Sequence, residues 1–421
     1  MSHNHHTHTT GNDTVPRRAL WILIPAALAT LIGLVWLWPI DYSAADVEHN
    51  DEYKADVLAV NEMECPEGQG ELAVPGPCGE VAIRLMSGPD QGKETIVDLP
   101  SGPGAPTVDV GDSVIVMHLP GAMDGTVYHI IDHERSSVLW AALIAFALAI
   151  IAFGRWKGLR SLLSLAITFA VLLLFIIPAI LNGSSPLTVA VVGASAIMLV
   201  SIFVTHGWNR SATVAVLGTL SALLVTGVLA AAATSLANLT GIVDEDTSNL
   251  SLNFDLDMSG LLLAGILIGA LGVIDDITVS QAATVDELAK ANPKWTIGHL
   301  FRSGTRVGTD HITSVVNTLV LAYAGASLPL LVLIVGSDSP VGQVLTNELI
   351  AAEILRSVVG TLGLIAAVPI TTYLAAVFIR KGRSSHHDPD DDPLTPPTRR
   401  RKRISEEPSW DEDLPYPPGH L

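Results

Sequence analysis

Eight stretches of this 421-residue chain are apolar over close to the length that crosses a bilayer, at 19–40, 136–153, 161–181, 187–205, 211–235, 259–285, 310–335 and 355–379. About 30 Å of hydrocarbon takes roughly 20 helical residues, and in lipid only helices and closed barrels satisfy every backbone N–H and C=O. The runs therefore predict an all-α polytopic membrane protein with about 8 transmembrane helices. The 136–153 run is the shortest and the 259–285 run the least uniformly apolar. A balance of 49% hydrophobic to 15% charged residues is far more apolar than an ordinary soluble domain. The first run could be mistaken for a signal peptide. It is long, ends near Trp36 and Trp38 and lacks a clean small-x-small cleavage site, so it reads as an anchor.

Basic residues set the expected orientation. Arg17 and Arg18 precede the first run; Arg155, Lys157 and Arg160 lie between the second and third; Arg210 lies between the fourth and fifth. Lys290, Lys294, Arg302 and Arg306 lie between the sixth and seventh, and Arg380, Lys381 and Arg383 follow the eighth. All fall on one side if both termini are cytoplasmic, as the positive-inside rule asks. The expectation is a multi-pass protein of the cell inner (plasma) membrane. The opposite side is acidic: residues 41–135 hold nineteen Asp plus Glu against four Lys plus Arg, and Asp244, Glu245, Asp246, Asp255 and Asp257 fall between the fifth and sixth runs. The net charge of −19 is thus mostly exterior. It could gather cations or be simply a solvated acidic face.

The chain divides into a His-rich leader at 1–18, the first helix at 19–40, a β-rich extracytoplasmic domain at 41–135, a helical membrane domain at 136–380 and a tail at 381–421. Within 41–135, short β-prone runs at Val57–Val60, Val81–Leu85, Thr95–Leu99, Ser113–Met117 and Val127–Ile131 are separated by Gly- and Pro-containing turns. They predict a small barrel or sandwich. Cys65 and Cys78, the two cysteines, both fall here on the oxidising side, and an intramolecular disulfide is the expectation. Metal binding is the lesser reading, since the pair lacks a usual zinc spacing. His3, His5, His6 and His8 in the leader could chelate a metal weakly or be a solvated leader. The tail, with its Asp388–Asp392 and Arg399–Arg403 charge blocks, has a composition that cannot bury a core.

Asp275 and Asp276 lie deep inside the sixth run. Each carboxylate near a bilayer centre costs roughly 2.5–3.5 kcal/mol on an insertion scale, and such acids usually face a polar pathway or a partner. Gly265, Gly269, Gly272, Asp276 and Ser280 fall on or near one helical stripe, so another helix could approach the acid closely. Ion or proton coupling is one reading; a structural carboxyl pinning two helices is the other. Further polar residues accompany the pair: Gln281 and Thr284 on the same run, then Asp310, His311, Thr313, Ser314, Asn317, Thr318 and Tyr323 on the next. Residues 341–355 read as a short outer amphipathic helix with Asn347, Glu348 and Glu353, leading to Arg356, which pairs with Glu353 or with an acid elsewhere. Each group alone is consistent with interhelical hydrogen bonding. Polar residues on three adjacent helices favour a pathway, whose candidates are Asp275, Asp276, Ser280, Asp310, Asn317, Glu353 and Arg356. His206 reads as an interfacial residue. The chain has no phosphate-cradling G-x-x-x-x-G-K-[ST] loop, no H-E-x-x-H helix and no G-x-S-x-G elbow. No catalytic residue, metal site, cofactor or nucleic-acid partner is expected.

Four segments, GRWKGLR at 154–160, GALGVIDDITVSQA at 269–282, FRSGTRVGTDH at 301–311 with NTLVLAY at 317–323, and Glu353 to Thr371, resemble the YibE/F-like family of bacterial integral membrane proteins over roughly residues 110–380. The resemblance implies either a transporter or a membrane protein whose role the family does not fix. Gly272 to Asp276 also looks like the fourth transmembrane helix of RND exporters and SecD/SecF proteins, where the corresponding acids carry protons. This chain departs from them by two extra spans, one small exterior domain and no repeat of the whole unit, so a proton-driven reading needs a partner or homo-oligomer. The expectation is a membrane permease or proton- or ion-coupled export factor acting on an unknown solute or ion. The alternative is a non-transporting scaffold or envelope-assembly factor that binds a partner through its exterior domain.

Overall fold

The computed structural model describes residues 17–39, 52–63, 78–102, 104–119, 127–243, 245–336 and 340–384. Most of the His-rich leader, Cys65, Asp244 and the tail after Ser384 lie outside these residues. After α1 (Arg17–Trp36) come five strands, β1 (Glu52–Met63), β2 (Cys78–Leu85), β3 (Glu94–Asp98), β4 (Ser113–His118) and β5 (Tyr128–His133). They coincide with the five runs expected from the sequence and form one antiparallel sheet in the order β3-β2-β1-β4-β5. A single sheet rules out a sandwich among these residues. β1 spans the sheet centre, its first residues pairing with β4 and the rest with β2 across an irregularity between Val57 and Ala59. β3 and β5 approach each other, so the twist curls the sheet towards a barrel.

Period-two alternation closes the sheet's core. Ala55, Val57, Val81, Ile83, Leu85, Val114 and Val116 are buried, whereas Lys54, Glu80 and Arg84 between them are exposed. Tyr128 lies at the edge of this core and its hydroxyl donates to Asp90 at 2.9 Å. Burial first, then the hydrogen bond to Asp90 and that carboxylate's charge, push the Tyr128 phenol up to about 12.

Ser136–Leu181 is a 46-residue apolar helical run. It comprises α2 (Ser136–Val171), a π-helical turn at Leu172–Ile176 and α3 (Ile177–Leu181). Arg155 interrupts α2 with φ 49° and ψ −125°. In a straight helix, residues eight apart are separated by about 12 Å along the axis. Here a Cβ on Gly158 would lie 2.3 Å from the Ile150 carbonyl oxygen. The chain bends sharply at Arg155, where the sequence places a basic turn between two apolar runs. The π turn precedes Pro178, which has no N–H to continue the ladder.

The remaining helices are α4 (Pro186–His206), α5 (Arg210–Leu236), α6 (Glu245–Asn253), α7 (Met258–Ala291), α8 (Ile297–Ala326), α9 (Leu328–Gly336), α10 (Val341–Leu345) and α11 (Glu348–Ser384). Side-chain caps start α5, α7 and α8. Asn209 accepts from Ala212 N at 2.7 Å, Asp257 from Gly260 N at 2.9 Å and Thr296 from His299 N at 3.3 Å.

Three sequence expectations need correction. The 310–335 run is two helices broken at Ser327, because Pro329 suits the first turn of a new helix rather than the interior of an old one. α8 begins at Ile297, so Arg302 and Arg306 lie on it rather than in a loop. Residues 341–355 are not one amphipathic helix. Asn347 Oδ1 accepts from Leu349 N at 3.0 Å and starts α11, which carries Glu348 and Glu353 straight into the last apolar run. Among the described residues, six helical segments are long and apolar enough to cross a membrane, with Ser136–Leu181 counted once; α8, rich in polar residues, is not among them.

α5, α7 and α11 pack together as the centre of the bundle, α4 lies against α7, and α8 lies against α11. Small residues set these contacts, as expected where lipid removes the hydrophobic drive between helices. A Cβ on Gly218 would lie 2.3 Å from Thr371 Oγ1, and one on Gly363 2.1 Å from Thr226 Oγ1, so α5 and α11 meet at glycine twice. At the other extreme, Trp21 of α1 is 80% exposed and Phe153 of α2 is 99% exposed. At the end of α5, Glu348 Oε1 accepts from Thr240 Oγ1 at 2.8 Å and Gly241 N at 2.9 Å, tying that loop to the start of α11. Gly241 has φ +83°, and a Cβ there would lie 2.2 Å from Met258 O, so only glycine fits.

Candidate functional site

α7 carries two kinds of polar residue. Thr278 and Gln281 are buried and bonded. Thr278 Oγ1 lies 2.6 Å from Thr219 Oγ1 of α5 and donates to the Asp275 carbonyl at 2.9 Å. Gln281 Nε2 donates to Gly304 O of α8 and to Thr372 Oγ1 of α11, both at 2.7 Å. The close approach rests on glycine. A Cβ on Gly304 would lie 2.8 Å from Thr372 Cγ2, and one on Gly308 2.8 Å from Gln281 Oε1. Gln281, expected on a pathway, instead ties three helices together.

The acids differ. Asp275 is half-buried, and its inaccessible Oδ1 has no hydrogen-bond partner. Asp276, one residue and about 100° further round the helix, is exposed, together with Gly265, Gly269, Gly272 and Ser280. Nothing lies within 4 Å of a Cβ on Gly265 or Gly272, and the nearest atom to one on Gly269 is the Tyr323 hydroxyl at 3.6 Å. The stripe is thus met only loosely: α8 reaches it through the Tyr323 hydroxyl, and no described residue packs closely against Gly265 or Gly272. The small residues that do admit a neighbour are on α5, α8 and α11.

Apart from Ser280, one turn from Asp276 on the same face, the other candidates do not gather around the acids. Ser280 is exposed and its carbonyl accepts from Thr284 Oγ1 at 2.8 Å. Asp310 and Asn317 are exposed on α8, with His311, Thr313, Ser314 and Thr318. Glu353 and Arg356 form an ion pair within α11, and Tyr323 lies within electrostatic reach of both. Gly360 of α11 abuts Ala270, which sets the Glu353–Arg356 pair roughly 15 Å of helix rise from Asp275, towards the start of α7. The seven candidates thus occupy separate places on three helices.

One polar cavity opens along α7 beyond the acids, from Val279 onwards, with neither acid in its lining. It has a volume of about 230 Å³ and lies between the end of α4, the start of α5 and the last turns of α7. His206, Asn209 and Arg210 line one wall; Asp286, Glu287 and Lys290 line the other. Lys290 Nζ pairs with Asp286 at 2.7 Å and Glu287 at 2.6 Å. His206 is within electrostatic reach of Asp276 and of Lys157. The sequence reading did not place His206 here. The available signal was helical spacing on α7, where Ala283, Glu287 and Lys290 continue the face of Asp276. Among the described residues no group of three or more His, Cys, Asp or Glu is placed to hold a metal ion.

The family model described as YibE/F-like protein matches residues 142–381, more than half the chain. The chain belongs to the YibE/F-like family. The match runs from the early turns of α2 into α11, so the acid pair, the Gln281 contact and the polar cavity of this YibE/F-like chain all lie inside it. The sheet lies before it, as do residues 110–141, which the sequence resemblance had included. No curated protein and no solved structure matches the chain. Together with six long apolar helical segments, the family identifies a membrane protein. Chemically, an acid without a fixed partner on a helix of such a protein can take up and release a proton or a small cation. The Thr278 hydroxyl and Gln281 amide nearby do not titrate, and their hydrogen bonds join helices instead.

Proposed function

We propose that this YibE/F-like protein is a membrane permease or export factor that couples to protons or ions at Asp275 and Asp276. The observation that carries the reading is the state of the pair, since Asp275 Oδ1 is buried and unpartnered and Asp276 is exposed on the face of α7 that leads to the polar cavity. A structural carboxyl would be expected to hold a partner, as Thr278 and Gln281 do. The protein spans the inner membrane about eight times with both termini cytoplasmic, counting Ser136–Leu181 as two crossings bent at Arg155 and α8 with α9 as another. The sheet then lies outside. The bend at Arg155 and the side on which Lys and Arg collect support this topology.

Proton flux into liposomes containing the full chain and a pH-sensitive dye tests the reading. Asp276→Asn keeps the packing volume, and is expected to abolish flux with expression and detergent stability unchanged. Wild-type flux in both Asp275→Asn and Asp276→Asn would make the pair structural. A reporter fused after Lys381 should be cytoplasmic and one inserted near Gly241 exterior. Cys78 opens β2 while Cys65 lies outside the described residues, so the disulfide is a proposal. Thiol labelling without reductant should find neither cysteine reactive.

A further inference from the structure

The cavity at the inner end of α7 has geometry that the acid pair alone does not explain. Its α7 wall is Val279, Ala283, Asp286, Glu287 and Lys290. These residues sit three, seven, ten, eleven and fourteen positions after Asp276, which is one continuous helix face leading from the acid to the last turn. The cavity therefore begins one turn below Asp276 and runs towards the end of the helix. Its volume of about 230 Å³ holds several waters at roughly 30 Å³ each, and its lining is polar enough to keep them there. The opposite wall is the end of α4 and the start of α5, and His206 is the residue of that wall within electrostatic reach of Asp276.

We propose that this cavity is a water-filled vestibule through which protons reach Asp276 from the cytoplasmic side, with His206 as the exchanging group in its wall. The proposal rests on the coupling role of Asp276 and adds the route and the relay. One ring nitrogen of His206 accepts a proton delivered along the cavity water from the cytoplasmic bulk, and the other releases its proton through water to the Asp276 carboxylate, which becomes the neutral acid. One proton moves, the imidazole is left neutral in its other tautomer, a ring flip or proton exchange with water resets it, and nothing is oxidised or reduced. Histidine suits the task because its ordinary titration range spans cytoplasmic pH. The charged groups that bias it are Asp276, Asp286, Glu287 and Lys290 from α7, Arg210 from α5 and Lys157 from α2. Lys290 is neutralised by its two acidic neighbours, so the mouth does not present an isolated ammonium against an incoming proton.

Two measurements on the full chain in liposomes of known orientation test this. Ala283→Cys should react with a membrane-impermeant thiol reagent from the cytoplasmic side and not from the outer side, relative to the wild-type chain. No labelling from the cytoplasmic side overturns the vestibule. His206→Gln should leave that labelling intact, lower proton flux on the order of tenfold or more, and flatten its dependence on internal pH between 5 and 8. Unchanged flux and pH profile overturn the relay. If the wild-type chain carries no flux, the coupling role and the relay fall together, while labelling at position 283 separately decides whether the vestibule exists.

Discussion

Thr278 and Gln281 sit within two turns of Asp275 and Asp276 on one helix, yet the two pairs are in opposite states. The first pair is buried, bonded across to α5, α8 and α11, and held there by Gly304 and Gly308. The second pair has one buried oxygen without a partner and one exposed carboxylate on the face that leads to a polar cavity. Polarity inside a membrane protein is therefore not one signal. A polar group whose bonds are complete fixes the register of its helices, because moving it exposes donors and acceptors to hydrocarbon. A group left incomplete can change its proton or ion without breaking a hydrogen bond that holds the helices.

The largest test of that contrast sets activity against stability at the two kinds of position. Asp276→Asn should remove flux altogether and leave the thermal midpoint in detergent within a degree or two, measured by scanning fluorimetry. Gly308→Leu should do the reverse. A side chain there meets Val368 and Gln281, and the overpacking should cost about 3 kcal/mol, seen as a lower midpoint and loss of monodisperse protein. If Asp276→Asn unfolds the bundle as Gly308→Leu does, the acid is structural and the contrast is broken.

Smaller effects sharpen it. The Tyr128–Asp90 bond gives the same comparison in the sheet, where water competes. Because the Tyr128 pKa is raised in the folded state, its contribution is fully present below its ordinary value near 10 and is lost as pH rises through about 12. Hydrogen-exchange protection of β5 in the full chain should fall across that window, and Tyr128→Phe should remove that component while costing about 1 kcal/mol at neutral pH. Smallest of all, Thr278→Val should cost only ~0.6 kcal/mol, the average of a membrane hydrogen bond, with flux retained. A loss of flux in Thr278→Val at full stability would place that hydroxyl with the acids rather than with the packing.

Much of this was legible in the chain. The apolar runs locate all six long helical segments, and the β-prone runs locate all five strands, because burial on one face or all round leaves a periodic mark in the sequence. Asp275 and Asp276 stood out for a comparable reason, as charges in an apolar run. Other features were not legible. Whether Gly269 or Gly304 receives a neighbouring helix depends on which way each helix is rotated, and both look alike as small residues on a stripe. Gln281 was grouped with the acids because a sequence shows that a residue is polar but not whether its bonds are met. The break at Ser327 and the start of α11 at Asn347 turn on single caps and prolines, whose effect on an apolar run is local.

By itself the sequence determined the membrane class, the family, the strands and the existence of an acidic centre, since each follows from the composition and order of neighbouring residues. Only the tertiary structure decided that His206, Asp286, Glu287 and Lys290 enclose one cavity below Asp276, and that Glu353 and Arg356 lie turns away from it. Those relations join residues some 70 to 80 positions apart through helix rotation and axial offset. Such quantities are set by the packing of small residues between helices.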